Sequence, residues 1–260
     1  MSLSRILGVF FRYWHTVFRG SHILADLFYW PFVDILIWGL TSSWLQQQQN
    51  APHLPLILMT GLIFWQITWR GAIEIPVNLL QEFWNRNLVN LFSTPLRISE
   101  WSLGVLLLCL LKLCITIAFG SSLVYLFYAL NVFEIGWAFL PFMASLLIFG
   151  WTVGFLSASA VVYWGHQVEA FAWMLGFIFA PFSGVFYPVD ILPAWAQVFS
   201  WSLPTTYIFT GMRIILMKGA FPLSYFITSL LLNALYLSLA LVLFRYMFEK
   251  SRAKGLARLE

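Results

Sequence analysis

Residues Gln81–Glu100 read QEFWNRNLVNLFSTPLRISE, a polar island between two strongly hydrophobic blocks. Glu82, Arg86, Arg97 and Glu100 stand there among Gln81, Asn85, Asn87 and Asn90. Read as a helix from Glu82 to Thr94, the stretch sets Trp84, Leu88, Leu91 and Phe92 at i, i+4, i+7 and i+8, with Glu82, Asn85, Arg86 and Asn90 largely opposite. Pro95 has no N–H and disfavours helical geometry at Thr94, so the pattern predicts a stop there. A short amphipathic helix in this setting is either an ordinary loop helix at the lipid headgroups or a docking surface for something outside the membrane.

The blocks on either side fix the class. The chain is 61% hydrophobic and 9% charged, against about 25% charged residues in a soluble domain. It cannot cover a water-facing surface, which makes it an integral membrane protein. Apolar runs of about 20 residues exclude a β-barrel, whose spans are about ten residues of alternating polarity. The net charge of +4 gathers at the two ends and in the island, a distribution that speaks for membrane orientation and not for nucleic-acid binding. A single transmembrane domain over residues 1–260 is predicted.

Outward from the island, Leu56 to Leu80 reads as a second span, with Arg70, Glu74 and Pro76 near its island end. A first span over Ile23–Leu45 contains Pro31 and Asp34, and a third over Trp101–Leu130 contains Lys112. Trp137–Trp164 is a fourth, with Gly150, Gly154 and Ala158 as a small-residue ridge for close helix contact. Ala170 to Tyr187, broken by Pro181, is a fifth and Leu223–Phe248 a sixth. Residues 3–20 form an interfacial helix instead: Arg5, Arg12 and Arg19 recur every seven residues, facing anionic headgroups, opposite Ile6, Phe10, Tyr13, Trp14 and Val17. A small-residue cleavage site after an apolar core, the mark of a signal peptide, does not occur in this stretch.

Basic residues flank the first span, the island and the tail (Lys250, Arg252, Lys254, Arg258), while the loops Gln46–Pro55 and Asn131–Gly136 have none. Arg213 and Lys218 count against the trend. The prediction is an all-α membrane protein of six transmembrane helices with both termini and the island in the cytoplasm.

Charges inside a membrane are costly and usually paired. Asp34 and Lys112 each lie about 11 residues into their spans, roughly 16 Å deep, so they are predicted to pair. Arg70 and Glu74 form an i, i+4 pair. Cys109 and Cys114 fall on different helix faces, and His166 with Glu169 lacks a third ligand, so no metal site is predicted. The sequence holds no G-x-x-x-x-G-K-[ST], H-E-x-x-H or G-x-S-x-G, so it has no P-loop and no enzyme motif to name.

Pro188, Pro193 and Pro204 divide the outer segment 188–213 into short pieces, predicted as two short helices that dip partly into the membrane. Tyr187, Trp195 and Trp201 suit an interfacial aromatic belt equally well.

That segment also carries a resemblance. Ser183, Gly184, Tyr187, Pro188, Leu192, Pro193 and Trp195, followed by Pro204, Thr205, Tyr207 and Arg213, resemble the C-terminal pattern of ABC-2 type transporter permeases. Glu82, Leu88, Leu91, Thr94 and Pro95 are similar to that family's coupling segment. The resemblance implies a permease with no cofactor of its own, in a prokaryotic cytoplasmic membrane. A second permease, identical or related, and two ATPase subunits holding ATP and Mg would complete it, exporting a drug, lipid or lipid-linked glycan. It implies a coupling helix over 82–94, with Leu88, Leu91 and Phe92 packed against the ATPase and Glu82, Arg86 and Pro95 beside them. Gly184, Tyr187, Pro188, Pro193, Trp195 and Tyr207 would form the outer gate, and the first and fifth spans the dimer interface. The Arg-Asp stretch of polysaccharide exporters is reduced here to Phe11-Arg12-Tyr13. Two other classes stay open: an ion-coupled transporter or channel using Asp34, Lys112 and Arg70, and an intramembrane enzyme. The 10 Tyr and 14 Trp suit sugars and aromatic drugs alike and do not decide the substrate.

Overall fold

A computed structural model describes residues 1–17, 21–49 and 52–255. Arg19 and Arg258, and the side chain of His166, lie outside what is described. In chain order the helices are α1 (Leu3–Val17), α2 (Ser21–Leu24), which continues through a π-turn at Ala25–Tyr29 into α3 (Trp30–Gln49), α4 (Leu54–Trp84), α5 (Leu88–Ser93) and α6 (Ile98–Tyr128). After a 3-10 turn over Val132–Ala138 come α7 (Phe139–Trp164), α8 (Glu169–Ile178), α9 (Ala194–Trp201), α10 (Pro204–Lys218) and α11 (Leu223–Ala253). The described residues contain no strand.

Among the described residues, four helices are long and apolar enough to cross a membrane: α4, α6, α7 with its preceding turn, and α11. A helix of 31 residues such as α4 extends about 46 Å, well beyond a hydrocarbon core of about 30 Å. The fifth predicted span is shorter than its apolar run. Helix α8 ends at Ile178, and Ala180–Phe182 is a 3-10 turn, because Pro181 supplies no N–H and restricts the residue before it. At the other extreme, α11 continues past the expected end at Phe248 to Ala253, and Lys254 Nζ donates to the Tyr163 hydroxyl at 2.6 Å.

Helix α4 is the hub, buried along nearly its whole length by α3, α6, α7, α8 and α10. Its closest partner is α7, and glycine explains why. A Cβ on Gly150 would lie 2.5 Å from the Thr68 carbonyl oxygen and 2.9 Å from Gly71 Cα; one on Gly154 would lie 3.0 Å from the Gly71 carbonyl oxygen. The two backbones therefore touch directly, and dispersion across that contact supplies what the hydrophobic effect cannot supply between helices in lipid. The ridge read in the sequence is thus the α4–α7 seam.

Helix α1 buries Ile6, Val9, Tyr13 and Val17 and lies against the start of α6, where Val9 fills the space left by Gly104. The remaining face, with Leu3, Leu7 and Phe11, points outward.

Candidate functional site

The island joins α4 to α6, and it is not one helix. Helix α4 ends at Trp84, and Arg86 takes a left-handed conformation with φ 49°. Asn87 N–H then bonds the Glu82 carbonyl at 2.9 Å. The chain restarts as the six-residue α5. This break turns the predicted contact face inward. Leu88 and Leu91 are buried among Phe83, Trp101 and Phe248, and Phe92 is half-buried, edge-on to Phe248 at 4.9 Å. Glu82 is buried as well. Those residues hold the turn in place from within, and Phe92 keeps part of its ring exposed. Facing outward are Trp84, Asn85, Arg86, Asn90, Ser93, Thr94 and Pro95.

Glu82 and Glu100, one at each end of the island, are both held by α1. Arg12 donates to the two oxygens of Glu82 at 2.8 and 2.7 Å, the Tyr13 hydroxyl donates to Oε1 at 2.6 Å, and Asn87 donates to Oε2 at 2.6 Å. Trp101 Nε1 completes the chain by donating to Tyr13 at 2.9 Å. Burial, reinforced by the neighbouring Glu82 carboxylate, raises the Tyr13 phenol well above its usual value. Glu100 accepts from the backbone N–H groups of Ser2 and Arg97 at 2.7 and 3.0 Å and from Arg5 at 3.3 Å. Arg5 also donates to the Pro95 carbonyl at 2.7 Å. Arg5 and Arg12 therefore do more than face headgroups. A buried carboxylate costs several kcal/mol unless paired, and these two arginines are the nearest cations.

The charges predicted to lie at equal depth pair differently in the structure. Lys112 Nζ donates to Glu74 Oε1 at 2.5 Å, while Asp34 accepts from Gln66 Nε2 at 3.0 Å. Arg70 is fully buried; its Nη1 forms a short ion pair with Asp26 and lies 3.9 Å from Glu74. Asn78 Nδ2 donates to Glu74 at 2.9 Å. The predicted Asp34–Lys112 pair is therefore replaced by a chain Asp26–Arg70–Glu74–Lys112, because equal depth does not place two residues on facing sides of their helices. Asp26 was the missed member. The available signal was the polar stripe on α4, where Gln66, Arg70, Glu74, Asn78 and Glu82 recur every fourth residue.

This chain borders a cavity of about 720 Å³ between the α2–α3 segment, α4, α6 and α8. Trp30, Trp65, Trp69, Trp173 and Phe177 form aromatic walls, with Asp26, Asp34, Glu74 and Lys112 as the polar points. From Trp65 to Trp84 it follows α4 for roughly 28 Å. At the island end Trp84 Nε1 donates to Glu169 at 3.3 Å, joining α4 to α8. Cys109 and Cys114 are free thiols, one buried and one exposed, and the described residues hold no cluster fit for a metal.

At the opposite end of the bundle, Gly184 takes φ +68°, a conformation a side chain would strain. The turn it makes is tied down: Arg213 donates to the Val185 carbonyl at 3.0 Å, Tyr187 to the Pro181 carbonyl at 2.7 Å, and Ser183 and Thr205 share a 2.8 Å bond. Pro193 precedes α9 and Pro204 opens α10. Tyr207 caps the junction, donating to the Trp201 carbonyl at 2.8 Å. Pro188 and Trp195 face outward, while α10 inserts against α4, α7 and α11. Two short helices stand where the prolines predict them. Trp38 stacks on Phe186 at 4.1 Å, linking α3 to this turn.

Comparison with curated proteins finds no match. The family model described as ABC-2 type transporter matches residues 8–217, from α1 through α10. That span includes the α1-held island, the aromatic cavity and the Gly184 turn. This multi-pass membrane chain belongs to the ABC-2 type transporter family and is the membrane component of an ABC transporter.

Proposed function

We propose that this chain is the permease half of an ATP-driven exporter in a prokaryotic cytoplasmic membrane. It acts as a dimer with a second permease, and a pair of separate ATPase subunits binds ATP and Mg. In this reading the continuous α2–α3 segment and the α8 region are the first and fifth of six spans, and the α1 end lies in the cytoplasm. The observation that carries it is the island: an outward turn from Trp84 to Pro95, braced at Glu82 and Glu100 by an amphipathic helix. A turn fixed so firmly on its inner side transmits a push on its outer side to α4 and α6 together. Because α4 is the hub, that push reaches α7 and the cavity.

Gly184, Tyr187, Pro188, Pro193, Trp195 and Tyr207 then form the outer gate, closing the far end until α4 moves. The absence of any P-loop in the sequence supports ATP acting from another chain. An ion-coupled mechanism is the weaker reading, since two of the three residues it would use, Arg70 and Lys112, are already satisfied by Asp26 and Glu74, which leaves it Asp34 alone. Purification of the tagged chain from its native membrane tests the proposal. A P-loop ATPase is expected to copurify and to hydrolyse ATP in the complex. A chain that moves substrate alone, driven by a proton or sodium gradient, contradicts it.

A further inference from the structure

The cavity beside α4 has one negative charge too many. Asp26, Asp34 and Glu74 face or border it, and among the described residues Arg70 and Lys112 are the cations that offset them. Asp26 is taken by Arg70 and Glu74 by Lys112. Asp34 remains, and among the described residues its carboxylate has only the neutral amide of Gln66 as a hydrogen-bond partner. An ionised carboxylate at membrane depth is normally paired with a cation. The cavity it borders is walled by Trp30, Trp65, Trp69, Trp173 and Phe177, and indole faces are the best π-partners for a cation. The volume of about 720 Å³ is that of a site for a drug-sized molecule.

We infer that this cavity binds an amphiphilic organic cation, its positive centre against Asp34 and its apolar body between the tryptophans. This rests on the permease reading above and names the substrate class for it. The electrostatics select by sign. An anionic amphiphile such as a lipid-linked glycan diphosphate would meet Asp34 with no free cation among the described residues lining the cavity to offset it. The paired arginine and lysine are committed to Asp26 and Glu74, and recruiting either would strand a buried carboxylate, at a cost of several kcal/mol. Trp84 lines the island end of the cavity, and Asp34 lies with Trp65 and Gln66 toward the other end.

Tetraphenylphosphonium and tetraphenylborate, nearly the same in shape and opposite in charge, test this directly. The measurement is equilibrium binding of each ion to the purified complex in nanodiscs, with empty nanodiscs subtracted. The phosphonium is expected to bind saturably, the borate not. Asp34→Asn is expected to weaken phosphonium binding about tenfold or more. Trp30→Leu, at an outward-facing ring, is expected to weaken it about threefold and serves if the Asp34 variant does not fold. Equal binding of the two ions, or phosphonium binding unchanged in whichever of these variants folds, overturns the inference. If ATP-driven export of a neutral or anionic amphiphile persists while phosphonium does not bind, the cation class fails and the permease reading stands. If phosphonium binds but no ATPase copurifies, the site stands and the permease reading fails.

Discussion

Lys112 Nζ lies 2.5 Å from Glu74 Oε1, and Glu74 in turn sits 3.9 Å from Arg70, so one buried carboxylate joins two cations from two helices. Removing one partner of such a pair leaves the other charged and dry. Lys112→Met is expected to destabilise the fold by about 3 kcal/mol or more. A double-mutant cycle between Glu74→Gln and Lys112→Met should show a coupling of about 1–3 kcal/mol. The cycle between Asp34→Asn and Lys112→Met should close to within about 0.5 kcal/mol. Unfolding in mixed micelles measures both.

The α4–α7 seam leaves no room for a side chain at Gly150, where a Cβ would come within 2.5 Å of a backbone oxygen. Backbone cannot move aside as a flexible side chain can. Gly150→Val is expected to cost about 1–3 kcal/mol or more and to lower the melting temperature. Gly8, with nothing within 4 Å of its Cβ direction, is the contrast: Gly8→Ala should stabilise α1 by up to about 1 kcal/mol.

Glu82 gathers Arg12, Tyr13 and Asn87. Glu82→Gln is expected to loosen α1 from α4 by about 1–3 kcal/mol, read as faster amide exchange in residues 3–17 with the spans unchanged. Tyr13 adds a pH dependence. Its folded-state phenol is raised by burial and by Glu82, so its contribution is complete below its unfolded value of about 10 and falls as pH rises above it. Tyr13→Phe should abolish that alkaline loss while keeping the ring packed.

Arg86 holds a left-handed conformation that costs a side chain roughly 1–2 kcal/mol. Arg86→Gly is therefore expected to keep or raise the melting temperature while lowering ATP-coupled export, since the guanidinium faces outward at the proposed docking turn. Leu91→Asp makes a poor test of docking. Leu91 is buried, and a carboxylate there is expected to lower the melting temperature whether or not anything docks.

Much of this architecture is legible in the residues. The glycine spacing of 150 and 154 marks a close-contact ridge on α7, though not its partner α4, the arginine interval in α1 marks its amphipathy, and the prolines at 193 and 204 mark where α9 and α10 begin. What stays hidden is azimuth. Hydropathy gives a residue's depth along a span, but which way Asp34 or Lys112 points depends on how helices rotate against one another. The break at Asn85–Asn87 is hidden for a related reason. A one-turn interruption leaves the spacing of Trp84, Leu88 and Leu91 nearly intact, and Arg86 is not a residue that announces a left-handed turn. Only the flanking asparagines, tolerant of turns, offered a cue.

In the proposed complex an ATPase seats on the outward face of the turn between α4 and α6. Asn90→Cys places a thiol on that face, Trp195→Cys places one on the opposite end of the bundle, and both positions are exposed. Bifunctional crosslinking in native membranes compares them. An adduct with a P-loop ATPase is expected from position 90 and none from position 195. An ATPase adduct from position 195, or none from position 90 in a complex that contains the ATPase and exports, contradicts that seating.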